Sequence, residues 1–195
     1  MATVNKLKQA FDLFDKANEQ DPNKETYQGK TYAKEVLYAM RMTKKLNSFA
    51  PNASETLKLT ARCQHICRWE IPRDSYEMNR TGYLKWRQDL KKYHAKKASK
   101  ILTAVGYDQN IIEKIAFLLE KKQLKKNEET QTLEDVICLV FLEYYFEPFA
   151  KKYSEEKLID ILQKTWRKMS KEGQDAALKL PLSKSSLELV GKALS

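Results

Sequence analysis

Apolar residues recur at three- and four-residue intervals over most of the chain, and this spacing predicts a succession of helices. A first helix is expected over 4–19, with Leu7, Ala10, Phe11 and Phe14 on one face, ended by Asp21-Pro22-Asn23. A polar connection through Gly29 leads to a second helix over 32–48, carrying Val36, Leu37, Met40 and Leu46, and Pro51 stops it. Asn52 and Glu55 have the spacing of a capping box for a third helix running through Trp69. On that helix Leu57, Ala61 and His65 would follow one another at successive turns.

Pro72 makes 71–76 a loop, after which a long helix is expected over 81–105, with Leu90, His94 and Ile101 roughly aligned and Gly106 as its stop. Asp108 caps a fifth helix over 109–122, whose Ile111, Ile112, Ile115, Leu118 and Leu119 form an apolar stripe. A polar turn over 125–129 precedes the most apolar segment, 133–149, read as a central helix with Glu134 and Asp135 at its positive end. Further helices over 155–170 and 184–194 complete an all-α bundle. No repeat and no linker interrupts the pattern, so a single domain over 1–195 is expected.

Composition agrees: among 195 residues only five Gly and five Pro punctuate the chain, too few for the turns of an all-β fold. No apolar run approaches the roughly 20 residues that span a bilayer, and the first residues lack a secretory h-region. A cytoplasmic protein without membrane contact is the expectation. Cys63 and Cys67 stand one helical turn apart and read as buried thiols rather than zinc ligands, because His65 would point away from both. Charge alters the picture more. Of the net +10, residues 80–126 carry nearly all, 13 Lys and Arg against four Asp and Glu, a field that attracts phosphates, nucleotides or RNA. A solvated lysine-rich helix face is the alternative.

The chain has two histidines, His65 and His94. With Asp135 they fall on three predicted helices in inward-leaning registers, and a bundle can converge such groups on one divalent metal ion. Two imidazoles and a carboxylate leave positions for water and a phosphate, the arrangement of metal-assisted hydrolysis. The same residues also fit a core histidine, a surface histidine and a helix-terminal acid.

The run Ala53-Ser54-Glu55-Thr56-Leu57-Lys58-Leu59-Thr60-Ala61-Arg62-Cys63-Gln64-His65-Ile66 resembles the helix that ends in the His-Asp doublet of the HD-domain phosphohydrolases. His94-Ala95 with Ile101-Leu102-Thr103-Ala104-Val105-Gly106-Tyr107 is similar to a later helix of that superfamily, and Leu133-Glu134-Asp135-Val136 to the place of its final aspartate. The doublet here reads Gln64-His65, and Tyr38 or Met40 stands near the place of the superfamily's earlier histidine. The resemblance implies an HD-like core over about 32–145 with C-terminal helices over 154–195. It further implies a metal on His65, His94 and Asp135, and Gln64 or Glu134 to orient a ligand or water.

A more extensive set of segments, including Gln64-His65, Arg68-Trp69, Ile71-Pro72-Arg73, Gly82-Tyr83-Leu84, Trp86-Arg87 and Cys138-Leu139-Val140-Phe141-Leu142, resembles DUF4202, an uncharacterised family of bacterial and fungal helical proteins. Some of its members carry a glutamyl-tRNA synthetase label, and Lys168-Met169-Ser170-Lys171-Glu172 is similar to the synthetase "KMSKS" signature. Without a "HIGH" partner motif or a nucleotide-binding βαβ pattern, no synthetase site can be assembled.

Arg68, Arg73, Arg80 and Arg87 bracket the loop between the two histidines, interleaved with Trp69, Tyr76, Tyr83 and Trp86. Guanidinium forks suit bidentate phosphate recognition and aromatic faces stack bases, so Arg68, Trp69, Arg73, Arg87 and Lys122 are candidates to hold a nucleotide-like substrate. Two functional readings follow. One is a variant HD-type metal-dependent phosphohydrolase or phosphodiesterase. The other is a non-catalytic basic module that binds RNA, such as tRNA, or senses a nucleotide.

Overall fold

Ten α-helices make up most of the described residues of the computed structural model, which covers the backbone from Ala2 and side chains from Lys6. The expectation of an all-α protein holds. The chain divides into two compact units: one holds the chain through Asn47 with Pro51–Lys122, the other Ser48–Ala50 with Gln123–Ser195. The boundary falls in the basic turn after the fifth helix, where Lys121, Gln123 and Lys125 all take positive φ. Three left-handed residues in five break helical continuity there.

The first unit contains α1 (Ala2–Asn18), β1 (Lys24–Tyr27), β2 (Lys30–Ala33), α2 (Lys34–Phe49, its last residues crossing to the second unit), α3 (Glu55–Cys63), α4 (Arg80–Val105) and α5 (Gln109–Leu119). Phe14 of α1, Leu59 of α3, Ala98 and Leu102 of α4, and Ile115 and Leu119 of α5 meet in one buried cluster. The hairpin replaces the expected polar connection. Tyr27 pairs with Lys30 across Gln28 and Gly29, whose φ values of 50° and 75° give the left-handed two-residue turn that suits strand twist. Below it the buried Asp21 carboxylate accepts the backbone N–H of Asn23 (2.8 Å) and of Glu35 (3.2 Å), tying the hairpin to the start of α2.

Helix α3 starts and ends differently from its prediction. Ser54 caps it by accepting the Leu57 N–H, so Asn52 has no capping part. Its end comes at Cys63, six residues before Trp69. Cys67 adopts a left-handed conformation (φ 52°, ψ 34°), and its N–H donates to the buried Asn18 side chain of α1 at 2.9 Å. This tertiary bond turns the chain at residues 64–67, so His65 leaves the helical register that would align it with Leu57 and Ala61. The following loop folds back onto the first turn of α4, where a Cβ on Gly82 would lie 2.1 Å from the Glu77 carbonyl oxygen. Only glycine fits. The termini of α4 match expectation, with Asn79 accepting the Gly82 N–H and Gly106 closing at φ 87°.

The second unit contains α6 (Glu128–Val140), a π-helical turn over Phe141–Tyr145, α7 (Phe146–Ala150), α8 (Glu155–Lys168), α9 (Lys171–Ala177) and α10 (Lys184–Leu194). Leu142, Phe146, Leu158, Leu162, Met169 and Val190 lie in its apolar cluster. Asn127 caps α6, so this helix begins inside the segment read as a turn. Glu134 and Asp135 consequently sit about two turns into it, and the acids at its positive end are Glu128 and Glu129. Among the described residues no helix is long and apolar enough to cross a membrane.

Candidate functional site

The turn that interrupts α3 delivers His65 against the first turns of α2. Its imidazole stacks on the Tyr38 ring at 4.0 Å between centroids with 11° between planes. Its Nδ1 lies 3.5 Å from Glu35 Oε2 and 3.4 Å from Arg68 Nη1. Tyr38 had been noted as standing near the place of the missing histidine; Glu35 had not been singled out. A signal for Glu35 was present, because it occupies the buried stripe of α2 that continues through Tyr38, Met42 and Leu46.

His94, on the inner face of α4, stands behind His65 with ring centroids 5.9 Å apart. His94 Nδ1–H donates to the Ile66 carbonyl at 2.8 Å, which leaves Nε2 with its lone pair and holds the turn carrying His65. Burial is the chief reason that His94 is pulled down to about 3, aided by the neighbouring His65. His65 is likewise held well below the usual imidazole range by burial, then by the charges of Arg68, Arg87, Lys121 and Lys34. Burial raises the Glu35 carboxyl, opposed by Arg68, Lys34 and His94. Both rings are therefore neutral at physiological pH, beside a carboxylate whose Oε2 is buried without a hydrogen-bond partner.

Arg68 is held in place by the Trp86 ring, 5.1 Å from its guanidinium, while Trp86 Nε1–H donates to the Ile71 carbonyl. Arg87 is half-buried and makes no hydrogen bond or ion pair among the described residues. These two arginines, with Lys34 and Lys121, form the electropositive surroundings of the histidines. The structure thus brings together His65, His94, Arg68 and Arg87 of the predicted set.

The other candidates are engaged elsewhere. Arg73 donates to the carbonyls of Tyr76, Glu77 and Asn79 and so closes the loop before α4. Trp69 packs against the first core, and Lys122 pairs with Glu120 at 2.8 Å. Gln64 is buried at the end of α3, its Oε1 without a hydrogen-bond partner. Asp135 and Glu134 belong to the second unit. There the Asp135 carboxylate accepts the Ser170 N–H (2.8 Å), the Ser170 hydroxyl (2.6 Å) and Gln131 Nε2–H (3.0 Å). Glu134 lies 3.8 Å from Lys168 Nζ. Among the described residues no group of three or more His, Cys, Asp or Glu is arranged to hold a metal ion.

The synthetase-like run has a structural part. Met169 is buried and its carbonyl accepts Lys125 Nζ–H at 2.8 Å, Ser170 caps α9, and Lys171 pairs with Asp175 at 2.7 Å. The segment Lys168-Met169-Ser170-Lys171 is the joint between α8 and α9.

No curated protein and no solved structure is detectably similar to the chain. A family model described as "Domain of unknown function (DUF4202)" matches residues 8–190, nearly the full length, and on that match the chain belongs to the DUF4202 family.

Proposed function

We propose that the first unit is the site of a variant HD-type phosphohydrolase or phosphodiesterase acting on a nucleotide-like phosphate ester. The observation that carries this reading is the pairing of a buried, unpartnered carboxylate oxygen of Glu35 with the neutral imidazole of His65, 3.5 Å apart, inside a ring of cations. Two ligands each about 2.1 Å from an ion and at a tetrahedral angle stand about 3.4 Å apart, so this pair has the separation of adjacent metal ligands. Glu35 takes the place that the sequence reading assigned to Asp135.

Glu35 and His65 would hold such an ion, leaving its remaining positions to water and phosphate. Electrostatics point the same way. Arg68, Arg87, Lys34 and Lys121 repel a bare divalent cation but attract one that arrives with phosphate. An ion held there would supply Lewis-acid activation of water and offset charge on the phosphate. The chain's own groups do the rest. Arg68, oriented by Trp86, and Arg87 hold the phosphate oxygens. Tyr38 fixes the plane of the His65 ring, and His94 acts as a positioning residue through its bond to the Ile66 carbonyl.

The test measures divalent-ion binding with and without inorganic phosphate, and hydrolysis of a panel of nucleotide mono- and diesters with Mg2+ and Mn2+. Binding that strengthens with phosphate, and a loss of at least about 100-fold in turnover for Glu35→Gln and for His65→Ala, support the reading. Absence of hydrolysis across the panel, or turnover unchanged in both variants, overturns it.

A further inference from the structure

The ridge of α4 opposite His94 carries a second kind of chemistry. Lys85, Lys92, Lys96 and Lys100 are all exposed and make no hydrogen bond or ion pair among the described residues. At 100° per residue these four fall within one narrow sector of the helix, with Gln88 and Thr103 on the same line. Two other lysines of the segment differ: Lys97 is bound by Glu70 at 2.9 Å, and Lys91 is half-buried. Asp89, one turn after Lys85 in the same sector, accepts the Tyr76 hydroxyl at 2.9 Å. The ridge thus carries four ammonium groups in no ion pair and one carboxylate, Asp89, an excess of positive charge along one line.

We infer that this ridge is a docking surface for a nucleic-acid backbone. Lys85 to Lys100 cover about 22 Å of helix, which matches about six phosphates along one strand of a duplex. From Lys92 to Lys96 and from Lys96 to Lys100 the rise is about 6 Å, so each ammonium meets a different phosphate. An anionic membrane is a poorer partner, because a membrane-surface helix must also insert an apolar face. The apolar face of α4, with Trp86, Leu90, Ala98 and Leu102, is buried. Lysines dominate the ridge, so recognition is chiefly of backbone charge. The surface is separate from the histidine cluster, on the other side of the helix, and stands whether or not that cluster is hydrolytic.

The experiment titrates the full-length protein against short duplex RNA, single-stranded RNA and duplex DNA, between about 50 and 200 mM salt. Four duplex phosphate contacts predict a slope of log K against log salt near −3.6, or about a hundredfold loss of affinity over that range. Substituting Lys85, Lys92, Lys96 and Lys100 by Gln should remove most of that slope, and Lys→Arg at the same positions should keep it. A control with Lys151, Lys152, Lys157 and Lys184 changed to Gln removes the same charge from the second unit. The comparison between nucleic acids shows whether RNA or DNA is preferred. Four results would each overturn the proposal: no binding at low salt, an unchanged slope in the ridge variant, an equal loss in the control, or retention on phosphatidylserine vesicles but not on nucleic acid. Circular dichroism confirms that each variant is folded.

Discussion

His94 shows how one buried ring couples fold to chemistry. It is 4% exposed and held neutral, while in the unfolded chain it titrates near 6.5. Between about 6.5 and about 3 the unfolded chain binds the additional proton, so stability is complete above this window and falls as pH drops through it. His65 adds in the same sense. Glu35, raised from 4.5, acts oppositely, but only between that value and its folded one. In protein freed of divalent ions, the thermal midpoint should therefore fall as pH is lowered from neutrality, with a loss on the order of a few kcal/mol across the window. A midpoint independent of pH down to 4 would contradict the burial of both rings. At the same scale, Arg73→Ala should loosen the loop before α4, seen as faster amide exchange at 76–79, without altering phosphate affinity. Arg68→Ala should do the reverse.

At the scale of elements, the joints between helices are where sequence patterns and structure part. Residues 64–67 were read as helix from apolar spacing alone, and the Asn18 side chain on α1 converts them to a turn. No local signal in 55–69 announces that bond, since Asn18 lies 49 positions away from its partner Cys67. Asp135 was legible as an inward-facing acid but not as the anchor of α9, a short helix that local patterning did not disclose. Asp135→Asn should remove a charge-assisted interaction with Ser170 and destabilise the second unit by about 1–3 kcal/mol. Denaturant unfolding followed at Trp166 would read this. Gly82→Ala must displace the Glu77 carbonyl and should lower stability well beyond what an exposed helix position would show.

For the whole molecule, each unit carries its own apolar cluster, and this predicts where core damage will be felt. Phe14→Ala, a change of about 3–5 kcal/mol for a fully buried ring, should reduce amide protection chiefly in α1, α3, α4 and α5. Leu162→Ala should act chiefly in α8 and α10. Equal loss throughout would argue against two separate clusters. What could be read from sequence was whatever depends on near neighbours along the chain. Helical class, the limits of α4 and α10, the Gly106 stop, the buried thiols and the basic segment all follow from spacing, caps and charge within a few turns. What tertiary structure decided was partnership. It placed Glu35 beside His65, engaged Asp135 with Ser170, turned Arg73 onto backbone carbonyls and left Lys85, Lys92, Lys96 and Lys100 of α4 in no ion pair among the described residues. Each of these depends on which distant groups share a desolvated space, and desolvation is a property of the folded packing rather than of any local run of residues.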